Sequence, residues 1–221
     1  MIPSTTDIIS LTEILIKELK KRGVSSKEIT KAKQILDDEE SRIEILEKAK
    51  IDKEKIEKAT DIKNQIQSLS NEIVMFRYYI NESSKILGKR LFEDNSETSR
   101  ISIQLPKKQV IDIDSLHIFI DDLHKYLIQS ANWGDLYNNG IINPVLKIIE
   151  RYRNHFNHIF DMKGKGTGGK NAYKELGKIN NEILGHKIIK IEEFPILQIN
   201  ILEKIKNMLR VIDNNIEEWL G

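Results

Sequence analysis

Ile56-Glu57-Lys58-Ala59-Thr60-Asp61-Ile62-Lys63-Asn64-Gln65-Ile66-Gln67-Ser68-Leu69-Ser70-Asn71-Glu72-Ile73 is the stretch whose reading decides the fold class. Its apolar residues recur at steps of three and four, which aligns them along one face of an α-helix. The stripe runs back through Ile29, Ala32, Leu36, Ile43, Leu46 and Ala49, and forward to Phe76 and Ile80. Lys and Glu fill the other faces, and neither Gly nor Pro occurs between Gly23 and Gly88. This spacing is that of a coiled-coil seam. One long helix, or two folded into an antiparallel hairpin near Lys50–Lys55, would both bury it. Ser25-Ser26, with Glu28 close behind, supplies the start signal.

Upstream, Ser4-Thr5-Thr6-Asp7 offers cap oxygens for a helix carrying Ile8, Leu11, Leu15 and Leu19, which Gly23 would stop. Downstream, Glu93–Arg100 is polar and reads as a loop. Ile101, Ile103 and Leu105 alternate with polar neighbours, as do Ile111 and Ile113 beyond Pro106, which fits a short β-hairpin. Helical spacing then returns. Asp114-Ser115 would cap a helix carrying Leu116, Ile120, Leu123 and Leu127, and Asn143-Pro144 would open one carrying Val145, Ile148, Ile149, Tyr152, Phe156 and Ile159. Ala172–Leu184 reads as a short helix, Gly185–Glu193 as an extended connector, and Pro195–Leu220 as a last long helix. The expectation is a mainly α protein. Residues 1–93 would be a helical, coiled-coil region, 94–113 a linker or short hairpin, and 114–221 a helical bundle.

Lys and Arg number 35 against 34 Asp and Glu, so no global field calls for nucleic acid or an anionic membrane. The chain has no cysteine, which excludes disulfides, thiolate nucleophiles and cysteine-bound zinc and suits a cytoplasmic protein. Charged residues break every apolar run, so no membrane span and no secretory signal are expected.

Chemistry concentrates in Arg151-Tyr152-Arg153-Asn154-His155-Phe156-Asn157-His158-Ile159-Phe160. Chance would produce an Arg followed by a His at a loose spacing about 0.5 times in such a chain. With one fixed spacing and a polar residue after the Arg, the figure is about 0.03. Arg153, Asn154 and His158 meet the strict form. Here the chain resembles the HEPN superfamily, whose ribonuclease members carry Arg, a polar residue, further residues and then His on a late helix of a small bundle.

The resemblance implies a metal-independent endoribonuclease with no cofactor. RNA supplies its own nucleophile, the 2′-hydroxyl, so the protein has only to move protons and hold phosphate charge. His158 would act as general acid or base. Arg153 would grip the phosphate through its planar fork of donors, and Asn154 would orient either partner. Five residues apart on a helix, Arg153 and His158 point about 140° from each other. The family's answer, carried over as an implication, is a homodimer in which two motifs meet. The resemblance also implies a toxin or antiviral-defence effector, with RNA as substrate and an antitoxin or activator protein as partner. Family toxins that are silenced by nucleotide modification carry Tyr two residues beyond the His. This chain has Phe160 there and offers no hydroxyl.

Lys163, Lys165 and Lys170, with Arg151, are candidate contacts to RNA phosphates. Gly164-Lys165-Gly166-Thr167-Gly168-Gly169-Lys170-Asn171 imitates a phosphate-binding P-loop, but Asn171 replaces the metal-ligating hydroxyl. A nucleotide-binding regulator is therefore the weakest reading. His117, Asp121 and His124 share a helix face, although seven residues between the histidines suits a metal poorly. His155 is expected to line a cleft or face solvent. The competing function is a non-catalytic coiled-coil scaffold or regulatory interaction protein.

Overall fold

The computed structural model describes residues 16–17, 20–23, 25–161, 168–187 and 189–220, with side chains at 32, 35–40, 42–47, 49, 157–161, 168–173 and 220 left out of the description. The chain is mainly helical. Its elements are α1 (Ser26–Ile86), α2 (Ser96–Gln104), α3 (Ile113–His124), α4 (Ile142–Asp161), α5 (Gly168–Leu184), α6 (Phe194–Asn214) and α7 (Ile216–Leu220). Two compact units divide it, Met1–Thr60 and Asp61–Gly221. No described helix is long and apolar enough to cross a membrane.

In the first unit the start signal works as expected. The Ser25 backbone N–H donates to Glu28 Oε2 (3.2 Å) and the Glu28 N–H to Ser25 Oγ (3.4 Å), a reciprocal cap on α1. Residues 50–55 are helical within α1, so no turn folds the stripe back there. Ile51 and Ile56 are 51% and 66% exposed. The expected helix at Ile8–Leu19 falls largely outside the described residues.

In the second unit the later part of the stripe turns inward. Ile66, Leu69, Ile73 and Ile80 are buried, and Ile62 and Phe76 pack against the same core. Gly88, at φ +73°, takes the left-handed conformation that ends the helix. Lys89 N–H then reaches back to the Ser84 carbonyl (2.9 Å).

The segment expected to be a hairpin is helical instead. Asn95 Oδ1 accepts from Thr98 N–H (2.9 Å) and Thr98 Oγ1 from Asn95 N–H (2.9 Å), which starts α2. Thr98, Ile101 and Leu105 face the core while Ile103 is 64% exposed. The Ile101/Ile103 alternation therefore misleads, because spacings of three and four from Thr98 place the buried set on one helical face. Among the described residues, the β-pairing present is a single antiparallel bridge between Phe92 and Ala131. Asn95→Ala should lower stability by about 0.5–2 kcal/mol, the usual worth of such a cap, in urea unfolding; a hairpin here would not respond to it.

Beyond Pro106 the chain runs extended under α6. Gln198, fully buried on α6, accepts from Val110 N–H (2.9 Å) and donates to the Lys108 carbonyl (2.8 Å). The cap of α3 is Asp112, not Asp114-Ser115, and Ser115 is its reciprocal partner at the third helical position. Asp122, buried on α3, is bound by Arg100 (3.3 Å) and Lys108. After His124 the helix widens into a π-turn at Lys125–Gln129, which turns backbone carbonyls toward side chains. Tyr126 C=O accepts from Arg77 Nε (3.3 Å) and Ser130 Oγ (2.7 Å), and Leu127 C=O from Trp133 Nε1 (2.8 Å).

Arg77 is 5% exposed at a core-facing position of α1. Besides Tyr126 it donates to Asp94 Oδ1 (2.9 Å), the Glu93 carbonyl (2.8 Å) and Ser130 Oγ (3.3 Å). Its guanidinium lies 4.8 Å from the Phe92 ring centroid and 4.4 Å from that of Tyr126. All three nitrogens thus donate, and two aromatic rings pack against the guanidinium. The last expected helix is broken in two at Asn215, with α7 following.

Candidate functional site

The motif helix α4 is amphipathic. Tyr152 and Phe156 are buried, and Tyr152 Oη donates to Asn180 Oδ1 on α5 (2.8 Å). Burial raises the Tyr152 hydroxyl pKa well above the ordinary tyrosine value. Asn180 in turn donates to the Lys187 carbonyl (3.1 Å), so α5 is fixed to α4 and to its own exit loop. Tyr152→Phe should cost about 1 kcal/mol in urea unfolding, since Asn180 Oδ1 would lose its donor.

A second face of α4 meets α3 in antiparallel order. The His117 ring lies 5.1 Å from that of Phe156. Arg153 Nε donates to Asp121 Oδ1 at 3.4 Å. The charge of Glu150 acts on His124. One stripe, His117-Asp121-His124, thus opposes another, Phe156-Arg153-Glu150. Asp121 also accepts Lys125 Nζ (3.0 Å), which reaches Glu97 as well (3.1 Å). Burial alone would raise the Asp121 carboxyl pKa, but hydrogen bonds and charges from Lys125 and Arg153 outweigh it and hold it low.

Arg153 is held but not enclosed, with its side chain 28% exposed. Among the described residues, no group accepts from its two terminal nitrogens. Asp121 meets the guanidinium at Nε, and its forked edge is engaged by none of the described groups. That edge has the geometry that matches two phosphate oxygens.

The other expected residues sort as follows. Asn154 is exposed beside Arg153. Arg151 lies on the opposite side of the helix and pairs with Glu182 of α5 (2.7 Å). His158 lies on α4 one and a half turns beyond Arg153; its side chain, like those of Phe160 and Lys170, lies outside the described residues. Lys163 and Lys165 lie outside them altogether. His155 corrects the expectation of a cleft or solvent position, being 5% exposed and packed edge-on against Phe156. Its place one residue from a buried aromatic carried that signal.

Among the described residues, no group of three or more His, Asp or Glu side chains could hold a metal, the His117-Asp121-His124 stripe included. Sequence reasoning had that stripe but not its partner. It therefore missed Asp121 as the holder of Arg153, and His124 and Glu150 as neighbours. No family model matches the chain, nor does any curated protein or solved structure, so the family resemblance stands on Arg153-Asn154 and His158.

Proposed function

We propose that the chain is a metal-independent endoribonuclease of HEPN type. Arg153 binds the scissile phosphate, His158 transfers protons, and Asn154 supports them. The observation that carries this reading is the fork of Arg153, engaged by none of the described groups and met at Nε by Asp121, within the strict motif. The 2′-hydroxyl attacks the adjacent phosphorus, the 5′-oxygen leaves with a proton, and a 2′,3′-cyclic phosphate remains. Charge developing on the phosphate oxygens is what the guanidinium stabilises.

Charge also argues for a second copy. Arg153 and Lys125 stand against Asp121, Glu97 and Glu150. One subunit's cluster thus has no excess positive charge from the described side chains. The remainder would come from Lys163, Lys165 and Lys170, and from a partner motif in a homodimer. A role as a toxin or antiviral effector, controlled by an antitoxin or activator, goes with this reading.

The product ends test the chemistry. Cleavage should leave 2′,3′-cyclic phosphate and 5′-hydroxyl termini and should fail where the 2′-hydroxyl is replaced by hydrogen. Cleavage of 2′-deoxy linkages would refute the proposed chemistry.

A second reading draws on Ile51 and Ile56, apolar and exposed on a helix free of Gly and Pro. It is a non-catalytic coiled-coil scaffold or regulatory protein. Abolished self-association in Ile56→Lys, with no RNA cleavage by the parent, would favour it.

A further inference from the structure

The stripe on α3 holds an imidazole that the motif does not include. His124 is 8% exposed, and its Nδ1 is enclosed with no hydrogen-bond partner among the described residues. Leaving a polar atom so enclosed is costly and calls for a reason. His124 stands one turn from Asp121, the residue that holds Arg153. The charged groups acting on it are Arg153 and Glu150 from α4, and Asp121 and Lys125 from its own segment. It is thus a buried titratable group set within the ion-pair cluster that positions the Arg153 guanidinium.

Resting on the ribonuclease reading, we propose that His124 is a positioning residue of the Arg153 site: an imidazole that is neutral in the free protein and takes up a proton when an RNA phosphate docks on Arg153. Neutrality leaves Arg153 as the cation that the phosphate meets. Burial and then the charge of Arg153 hold the imidazole below its ordinary value of 6.5, against the opposing pull of Glu150 and Asp121. A phosphate on Arg153 cancels the repulsion and adds attraction, so the charged form becomes more favourable. The proton comes from water, and no covalent bond in protein or RNA changes. Linkage then fixes the sign. A group whose pKa is higher in the complex than in the free protein makes binding tighter as pH falls.

The test uses the full chain and a 2′-O-methyl oligoribonucleotide, which binds as RNA but cannot be cleaved. Imidazole resonances are followed against pH by NMR. His124 is assigned through backbone correlation, and independently by its loss in His124→Gln, so a poorly folded variant does not block the assignment. The expected result is a low His124 midpoint in the free protein, raised by the oligonucleotide and raised also in free Arg153→Gln. Binding of the oligonucleotide to the parent should tighten on acidification, and this component should be lost in His124→Gln. If the oligonucleotide binds and the His124 midpoint does not move, the inference is overturned and the ribonuclease reading stands. If it does not bind, both are overturned.

Discussion

Arg153→Ala and His158→Ala are each expected to lower the rate of RNA cleavage by about 10²–10⁴-fold, the range of a lost proton-transfer or charge-stabilising group. Both should keep the helical circular dichroism of the parent. For Arg153 the reason is local. It lies at the edge of the buried face that Tyr152 and Phe156 form on α4, and among the described residues it makes one hydrogen bond, near the length limit. Its loss frees Asp121, which keeps Lys125. The expected destabilisation is therefore small, about 1 kcal/mol for a partly exposed ion pair at the edge of hydrogen-bond distance. A fall in activity that tracked a fall in stability would assign Arg153 a structural role instead. Arg153→Lys separates charge from shape. A point charge replaces the fork, so activity should stay well below the parent.

Arg77→Met should have the largest effect on stability. The methionine keeps apolar contact with Phe92 and Tyr126, but the Glu93 carbonyl and Asp94 Oδ1 each lose the donor that Arg77 supplies. Removing one partner of a fully buried ion pair costs about 3–5 kcal/mol. Here Asp94 is 44% exposed and retains Arg90 and Asn81, which lowers the expectation to about 2–4 kcal/mol. Urea unfolding measures it, and a change below about 1 kcal/mol would contradict the account of this network. The pH dependence has a definite sign. Burial would raise the Asp94 carboxyl, but the hydrogen bonds and charges of Arg77 and Arg90 hold it below its ordinary 3.8. A depressed carboxylate contributes stability that is fully present above that ordinary value and is lost as pH falls through the lower folded one. The variant should therefore lose less stability on acidification than the parent does.

Much of the helical architecture was legible because period and punctuation agreed. In α1 the stripe, the absence of Gly and Pro, and the Ser25/Glu28 box all pointed the same way. In α6 the run from Ile199 to Ile212 did so too. At Ser96–Gln104 they disagreed. Alternating isoleucines imitate a strand over a few residues, and the deciding signal was Asn95 with Thr98 three positions on. The π-turn has no such signature, since the Tyr126 carbonyl is met by Arg77 from a distant position as well as by Ser130 nearby. Arg77 was not singled out in the sequence, although it stands four residues after Ile73 and three before Ile80, on the stripe's own face.

At the candidate site, the motif was legible as a spacing and α4 as its helix. What a spacing cannot state is which helix lies opposite. Antiparallel packing with α3 makes Asp121 the holder of Arg153 and sets Glu150 beside His124. It also sets the His117-Asp121-His124 stripe against Phe156, Arg153 and Glu150. His155, expected to line a cleft or face solvent, is buried instead, because it sits on the part of α4 that packs into the bundle, which a motif spacing does not state.

Incubation of the purified full chain with mixed RNA in excess EDTA is the most direct measurement. Cleavage by the parent, absent with Arg153→Ala and with His158→Ala, is the predicted result. Intact RNA after incubation with a folded parent, or equal cleavage by all three proteins, would contradict it.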